Sequence, residues 1–210
     1  MRIAMIAPLE IRVPPVGYGG TELVVSLLTE ELVRRGHQLT LFASGDSETA
    51  ARLVSGCDRF LRGTDRDKAI LGMLSLTACL ERAEEFDIIH NHTTFEGLAT
   101  AGLVATPMLS TLHGGLADDW LLLFDRYRGW YNAISHSAKR LLPPKDRFAG
   151  VIYNAIDVAK HPFNAGPRDD YLLYLSRISP EKGTHLAIEV ALRAKRRLII
   201  AGNVDAVDRG

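Results

Sequence analysis

An arginine and a lysine five positions apart, Arg177 and Lys182, stand in Leu175-Ser176-Arg177-Ile178-Ser179-Pro180-Glu181-Lys182-Gly183, between an apolar run and a helical pattern. An arginine at a strand end and a lysine in the first turn of the next helix converge on one phosphate-sized region. The guanidinium offers a planar two-pronged donor and the ammonium a point charge, and together they neutralise a diphosphate. A cation in the first turn opposes the helix dipole, so Lys182 is hard to explain as helix stabilisation.

A second candidate is Pro14-Pro15-Val16-Gly17-Tyr18-Gly19-Gly20-Thr21-Glu22, between the first strand and its helix. Gly19 and Gly20 at a helix N-terminus let backbone N–H groups approach an anion; the alternative is a tight turn and no more. The loop does not have the dinucleotide pattern of three spaced glycines and no acidic residue ends the second strand at Leu41-Phe42-Ala43, which disfavours a nicotinamide cofactor.

Histidines form the third and fourth candidates. In Asp87-Ile88-Ile89-His90-Asn91-His92 the strand period puts His90 and His92 on one side at the carboxyl end of a parallel strand. That end faces the ligand crevice in open α/β sheets. No third ligand has helpful spacing, so hydrogen bonding at a polar crevice or a structural role is favoured over a metal. His113, in Leu109-Ser110-Thr111-Leu112-His113-Gly114-Gly115, ends another strand and as a neutral imidazole can hydrogen-bond substrate hydroxyls; the alternative is an ordinary strand-end histidine.

The elements that must position these residues are short apolar runs alternating with amphipathic segments, the pattern of a parallel sheet covered by helices. Strands are expected at Arg2 to Ala7, Gln38 to Ala43, Asp87 to Asn91, Met108 to Leu112, Tyr131 to Ser135 and Val151 to Tyr153. Helices are expected from Thr21 to Arg35, Thr64 to Glu85, Phe95 to Val104 and Asp118 to Arg126, and after Ser135 as a cap. Ser44 to Gly63 reads as polar and irregular. Residues 1–160 then form one Rossmann-like domain and 161–169, with prolines and a glycine, a linker. Residues 170–210 carry one β-α-β unit: Tyr171 to Leu175, Glu181 to Lys195 and Leu198 to Ala201, too little for a complete doubly wound domain.

The chain has 210 residues, 47% hydrophobic, and its 25 Lys plus Arg balance 25 Asp plus Glu. A packed core is affordable, and the lack of basic excess argues against nucleic acid as a partner. Cys57 and Cys79 match no metal spacing and read as reduced thiols rather than a disulfide. With neither a signal-peptide pattern nor a membrane-length apolar run, a cytoplasmic protein is expected, peripheral contact with a membrane surface remaining open.

Taken together and in order, these pieces resemble family 4 glycosyltransferases. The resemblance rests on Gly19-Gly20-Thr21-Glu22, Arg35-Gly36-His37, His90-Asn91-His92, Thr111-Leu112-His113, Ala133-Ile134-Ser135-His136-Ser137, Val151-Ile152-Tyr153-Asn154-Ala155-Ile156-Asp157, and Ser176-Arg177 with Lys182-Gly183. It implies a GT-B fold: an N-terminal Rossmann-like lobe for the acceptor and a second lobe, here incomplete, for the nucleotide sugar. It also implies sugar transfer from a nucleotide-diphosphate sugar to a sugar, lipid or small-molecule acceptor. The anomeric configuration is retained, and neither cofactor nor metal is needed. In such a site Arg177, Lys182, Gly19 and Gly20 hold the donor diphosphate. His113 takes the catalytic position against the sugar, and Thr21, Glu22, His90 and His92 contact acceptor or sugar.

Asn154-Ala155 stands where the family commonly has Asn-Gly, and the paired-glutamate motif for ribose and sugar has no counterpart up to Gly210. The chain alone is therefore expected to be inactive, and to form a homo-oligomer through the incomplete second lobe. The alternatives are a non-catalytic sugar or nucleotide-sugar binding module and a nucleotide-sugar epimerase of GT-B type.

Overall fold

The computed structural model describes residues 1–93, 95–114, 119–142 and 146–204. They form two compact units, Met1–Lys160 and His161–Gly210. The first unit holds β1 (Arg2–Ile6), β2 (Gln38–Ala43), β3 (Arg52–Ser55), β4 (Ile88–Asn91), β5 (Met108–Leu112), β6 (Trp130–Ala133) and β7 (Phe148–Val151). All pair in parallel in the order β3-β2-β1-β4-β5-β6-β7. The chain builds outward from β1 in one direction, then returns to β4 and builds in the other. Ligands of open α/β sheets bind beyond the carboxyl ends of the strands at such a reversal.

The strand period divides the core. Ile3 and Met5 of β1 join Leu39, Leu41 and Val25 on the face covered by α1 (Gly20–Arg34). Ala4 and Ile6 join Phe42, Ile89 and Leu76 on the opposite face, under α2 (Lys68–Leu80). Burial on both faces is why these strands are mostly apolar. A third cluster, Leu98, Leu112, Phe124 and Tyr131, packs α3 (Phe95–Thr100) and α4 (Trp120–Arg126) together. α5 (His136–Lys139) starts at Ser135, whose hydroxyl accepts from the Ala138 N–H at 3.0 Å.

Several boundaries depart from the sequence expectation. The stretch from Ser44 to Gly63 contains β3, an edge strand too short for its alternation to register: Leu53 packs toward one cluster and Val54 toward the other. α2 is capped by Asp67, which accepts from the Ile70 N–H at 3.0 Å; Thr64 instead donates to the Leu61 carbonyl at 2.8 Å. α2 stops at Leu80, and Ala83–Glu85 form a separate 3₁₀ turn. β7 begins at Phe148 rather than Val151, so Ile152 and Tyr153 fall beyond it. Both cysteines are buried and free.

In the second unit β8 (Leu172–Leu175) and β9 (Leu198–Ala201) pair in parallel around α6 (Thr184–Ala194). Pro180–Lys182 form a 3₁₀ turn, and Gly183 at φ 71° separates it from α6. Lys182 therefore precedes the helix instead of lying in its first turn. Among the described residues, β9 has β8 as its sole strand neighbour, and Leu175 and Leu192 remain 75% and 73% exposed. No helix among the described residues is long and apolar enough to cross a membrane.

Candidate active-site edge

The glycine loop leaves the carboxyl end of β1, at the sheet's reversal. Gly19 has φ 153°, and a side chain there would put its Cβ 2.7 Å from the Pro15 Cβ. Only glycine allows that backbone to lie so close. Gly20, the first residue of α1, has no such constraint and stands open, with nothing within 4 Å of a Cβ built on it. Glu22 is buried beneath the loop, and desolvation raises its carboxyl above the ordinary range against the pull of its own N–H and Arg62. Glu22 therefore underlies the loop, while Thr21 is half-buried beside it. Arg62 caps the other side, its guanidinium 5.0 Å from the Tyr18 ring centre.

The histidines meet at the carboxyl ends of β4 and β5. His92 Nδ1 and His113 Nε2 are 2.8 Å apart, and the His90 and His92 rings are 4.1 Å apart, centre to centre. His90 Nε2 lies 2.8 Å from the Thr111 hydroxyl, which donates to Asn132 Oδ1 at 2.8 Å. With its proton given to Asn132, Thr111 must accept from His90, which puts the His90 proton on Nε2. Burial, and then the neighbouring His113, pulls His90 down to about 4; burial alone pulls His113 to about 4. His92, only 3% exposed, is lowered further, by burial first and then by the other two rings. All three are neutral at pH 7.

On the other face of β4, Asn91 Nδ2 donates to the Ser110 hydroxyl at 3.1 Å, and its Oδ1 accepts from the N–H and the hydroxyl of Thr93. Gly97 of α3 lies directly against that amide. Thr111, Asn132, Asn91 and Ser110 carry no role in the motif reading. The signal for them is present in the sequence as polar residues within or at the end of apolar strands, which must be paired once buried.

In the second unit, Arg177 follows β8 and forms an ion pair with Glu181. Tyr174 fixes the turn: its hydroxyl donates to the Arg177 carbonyl at 3.1 Å, lies 3.3 Å from the Lys182 carbonyl, and accepts from Thr184 at 2.9 Å. Arg177 and Lys182 are thus held at the two ends of one turn, with Lys182 exposed. Within the described residues, no three His, Cys, Asp or Glu side chains are grouped to hold a metal ion.

The sequence profile of glycosyltransferase family 4 matches residues 18–160. Among solved structures, sucrose-phosphate synthase from Thermosynechococcus elongatus is similar with a TM-score of 0.70 at 14% identity, covering 98% of this chain and 63% of that one. AviGT4, a glycosyltransferase involved in avilamycin A biosynthesis, is similar with a TM-score of 0.57 at 22% identity, covering 95% of this chain and 56% of that one. At such identities these similarities speak to the fold, and the chain spans roughly six-tenths of either length. No curated protein matches the sequence. The family match extends over more than half of the residues, from the glycine loop to the end of the first unit, and the chain belongs to glycosyltransferase family 4.

Proposed function

We propose that the chain is the acceptor lobe and the opening of the donor lobe of an enzyme that transfers a sugar from a nucleotide-diphosphate sugar with retention at the anomeric carbon. The observation that carries this reading is the pairing of a family-matched first unit with a strand-end turn presenting Arg177 and Lys182. When the bond between the anomeric carbon and the diphosphate oxygen breaks, negative charge gathers on the leaving diphosphate. Fixed cations aimed at that oxygen stabilise the transition state more than the ground state. Gly19 and Gly20 leave the backbone N–H groups of the α1 N-terminus open to an anionic group of a substrate. His113 contacts the sugar, and His90 and His92, enclosed behind it, hold its ring.

The test is a graft of residues 1–160 onto the donor lobe of a characterised retaining family member, supplied with its nucleotide sugar and a panel of acceptors. A glycoside of retained configuration is the expected product. A folded, nucleotide-binding graft that makes no glycoside overturns the reading, and an isomerised nucleotide sugar would identify an epimerase instead.

A further inference from the structure

α2 is apolar on both of its sides. Leu76 and Cys79 pack onto the sheet beneath it, while Ile70, Met73 and Leu74 are 59%, 40% and 56% exposed. With Thr77 these three recur at i, i+3, i+4 and i+7, one stripe along the helix, and they line a shared shallow hollow. Between Lys68 and Glu81 no residue carries a charge. α1, on the opposite face of the sheet, instead turns Glu31 and Arg34 to solvent, paired at 2.7 Å. A helix that is hydrophobic all round belongs between two packed layers. Apolar side chains scattered singly on a surface are ordinary; a contiguous stripe is not.

Charge says what covers the stripe. Glu81 follows the helix, exposed, with no ion pair or hydrogen bond of its side chain among the described residues. An acid at this end opposes the helix dipole, and the last turn of α2 holds no basic residue to offset it. At the other end Arg66 precedes the Asp67 cap and is paired with Asp58 on the surface. Met73 and Leu74, Ile70 and Thr77, and Arg66 and Glu81 all have the same midpoint, between positions 73 and 74. A two-fold axis through that point lays one α2 antiparallel on another. The stripe then covers itself, and each Glu81 meets the second copy's Arg66 and the positive end of its helix. A membrane surface fits less well, because anionic headgroups attract Lys and Arg, and α2 is followed by Glu81, Glu84 and Glu85.

We propose that the chain associates with a second copy of itself through α2, antiparallel about a two-fold axis between Met73 and Leu74. A helix pair buries well under the roughly 1,600 Å² of a standard interface. The dimer is therefore weak and forms as concentration rises. Asp65 and Asp67 flank Arg66, so the charges set the register more than the strength.

Sedimentation velocity of the full chain over about a hundredfold range of concentration, up to about 1 mM, tests the proposal. A monomer passing into a dimer is expected. Leu74→Glu sets two carboxylates at the axis and should weaken association about tenfold or more, at an unchanged melting temperature. Arg66→Glu and Glu81→Arg should each weaken it about two- to tenfold, and the two combined should restore it; this charge swap carries the test if Leu74→Glu does not fold. A chain that stays monomeric throughout overturns the proposal, and so does a dimer indifferent to Leu74→Glu, which would place the contact elsewhere, as at the edge of β9. A charge swap that fails to restore association overturns the antiparallel register. Monomers that bind phosphatidylglycerol vesicles through Leu74 would give the face to a membrane and overturn the proposal as well.

Discussion

His92 Nδ1 lies 2.8 Å from His113 Nε2, and the far nitrogen of His92 is buried with no hydrogen-bond partner among the described residues. Two neutral rings share one proton across this contact. A proton on His92 Nε2 would be an unpaired buried donor, costly to leave so. The His92 proton therefore sits on Nδ1 and is donated to His113, which leaves His113 protonated on Nδ1. Nitrogen-15 NMR of the imidazoles at pH 7 should find His113 in that single tautomer, and His92→Ala should turn it into a mixture. The opposite tautomer in the unaltered chain would remove His92 as its positioning residue.

The same burial makes the fold sensitive to acid. His90 and His113 titrate at about 4 when folded, against the ordinary imidazole value of about 6.5 when unfolded. Between those values the unfolded chain binds more protons than the folded one, so the stability these two rings contribute falls as pH drops from about 6.5 to 4, and their contribution levels off below. Each pKa unit of separation is worth about 1.4 kcal/mol. Urea unfolding at pH 7 and pH 5 should differ by at least that much. His90→Gln should shrink the difference; an unchanged slope would mean that His90 is charged in the folded state.

Gly97 and Asn91 make a purely structural prediction. A methyl group on Gly97 would fall well inside contact distance of the Asn91 amide. That amide is held by Ser110 and Thr93 and cannot swing away without losing three hydrogen bonds. Overpacking of this kind costs about 1–3 kcal/mol. Thermal unfolding of Gly97→Ala should show the loss, and a variant as stable as the parent would mean that α3 shifts freely.

The two loop glycines should separate fold from function. Gly19→Ala forces a side chain into positive φ and onto Pro15, a strain of about 1–3 kcal/mol. Gly20→Val meets open space and should leave melting nearly unchanged, yet hinder close approach of a ligand to the α1 N-terminus. Transfer by the residue 1–160 graft is the readout. Normal turnover with Gly20→Val would make the loop a turn and nothing more.

Much of this is legible in the sequence because the sheet's central strands are apolar on both faces and bounded by glycine or proline. β1, β2 and β5 fall within a residue of expectation for that reason. β3 is not legible: Arg52-Leu53-Val54-Ser55 is four residues long and polar at both ends. Gly183 shows that a helical apolar pattern can begin before the helix does, since its left-handed conformation ends one turn and starts another. His90, His92 and His113 stand out as motif residues, but their contact depends on the register of β4 with β5, which spacing alone does not give. Tyr174 escapes a sequence reading because a tyrosine in a strand reads as core until its hydroxyl is seen tying Arg177 to Lys182.

The proposed donor site stands or falls on the turn after β8, whose cations are proposed to hold the donor diphosphate. Arg177 is tied to Glu181, a pair that a diphosphate must displace or join. Isothermal titration of a nucleoside diphosphate into the chain is the most direct measurement. Weak binding is expected, near the millimolar level or about −4 kcal/mol, lost by roughly 1.5–3 kcal/mol in Arg177→Ala and tightened in Glu181→Gln. Affinity unchanged in Arg177→Ala would take the diphosphate away from this turn.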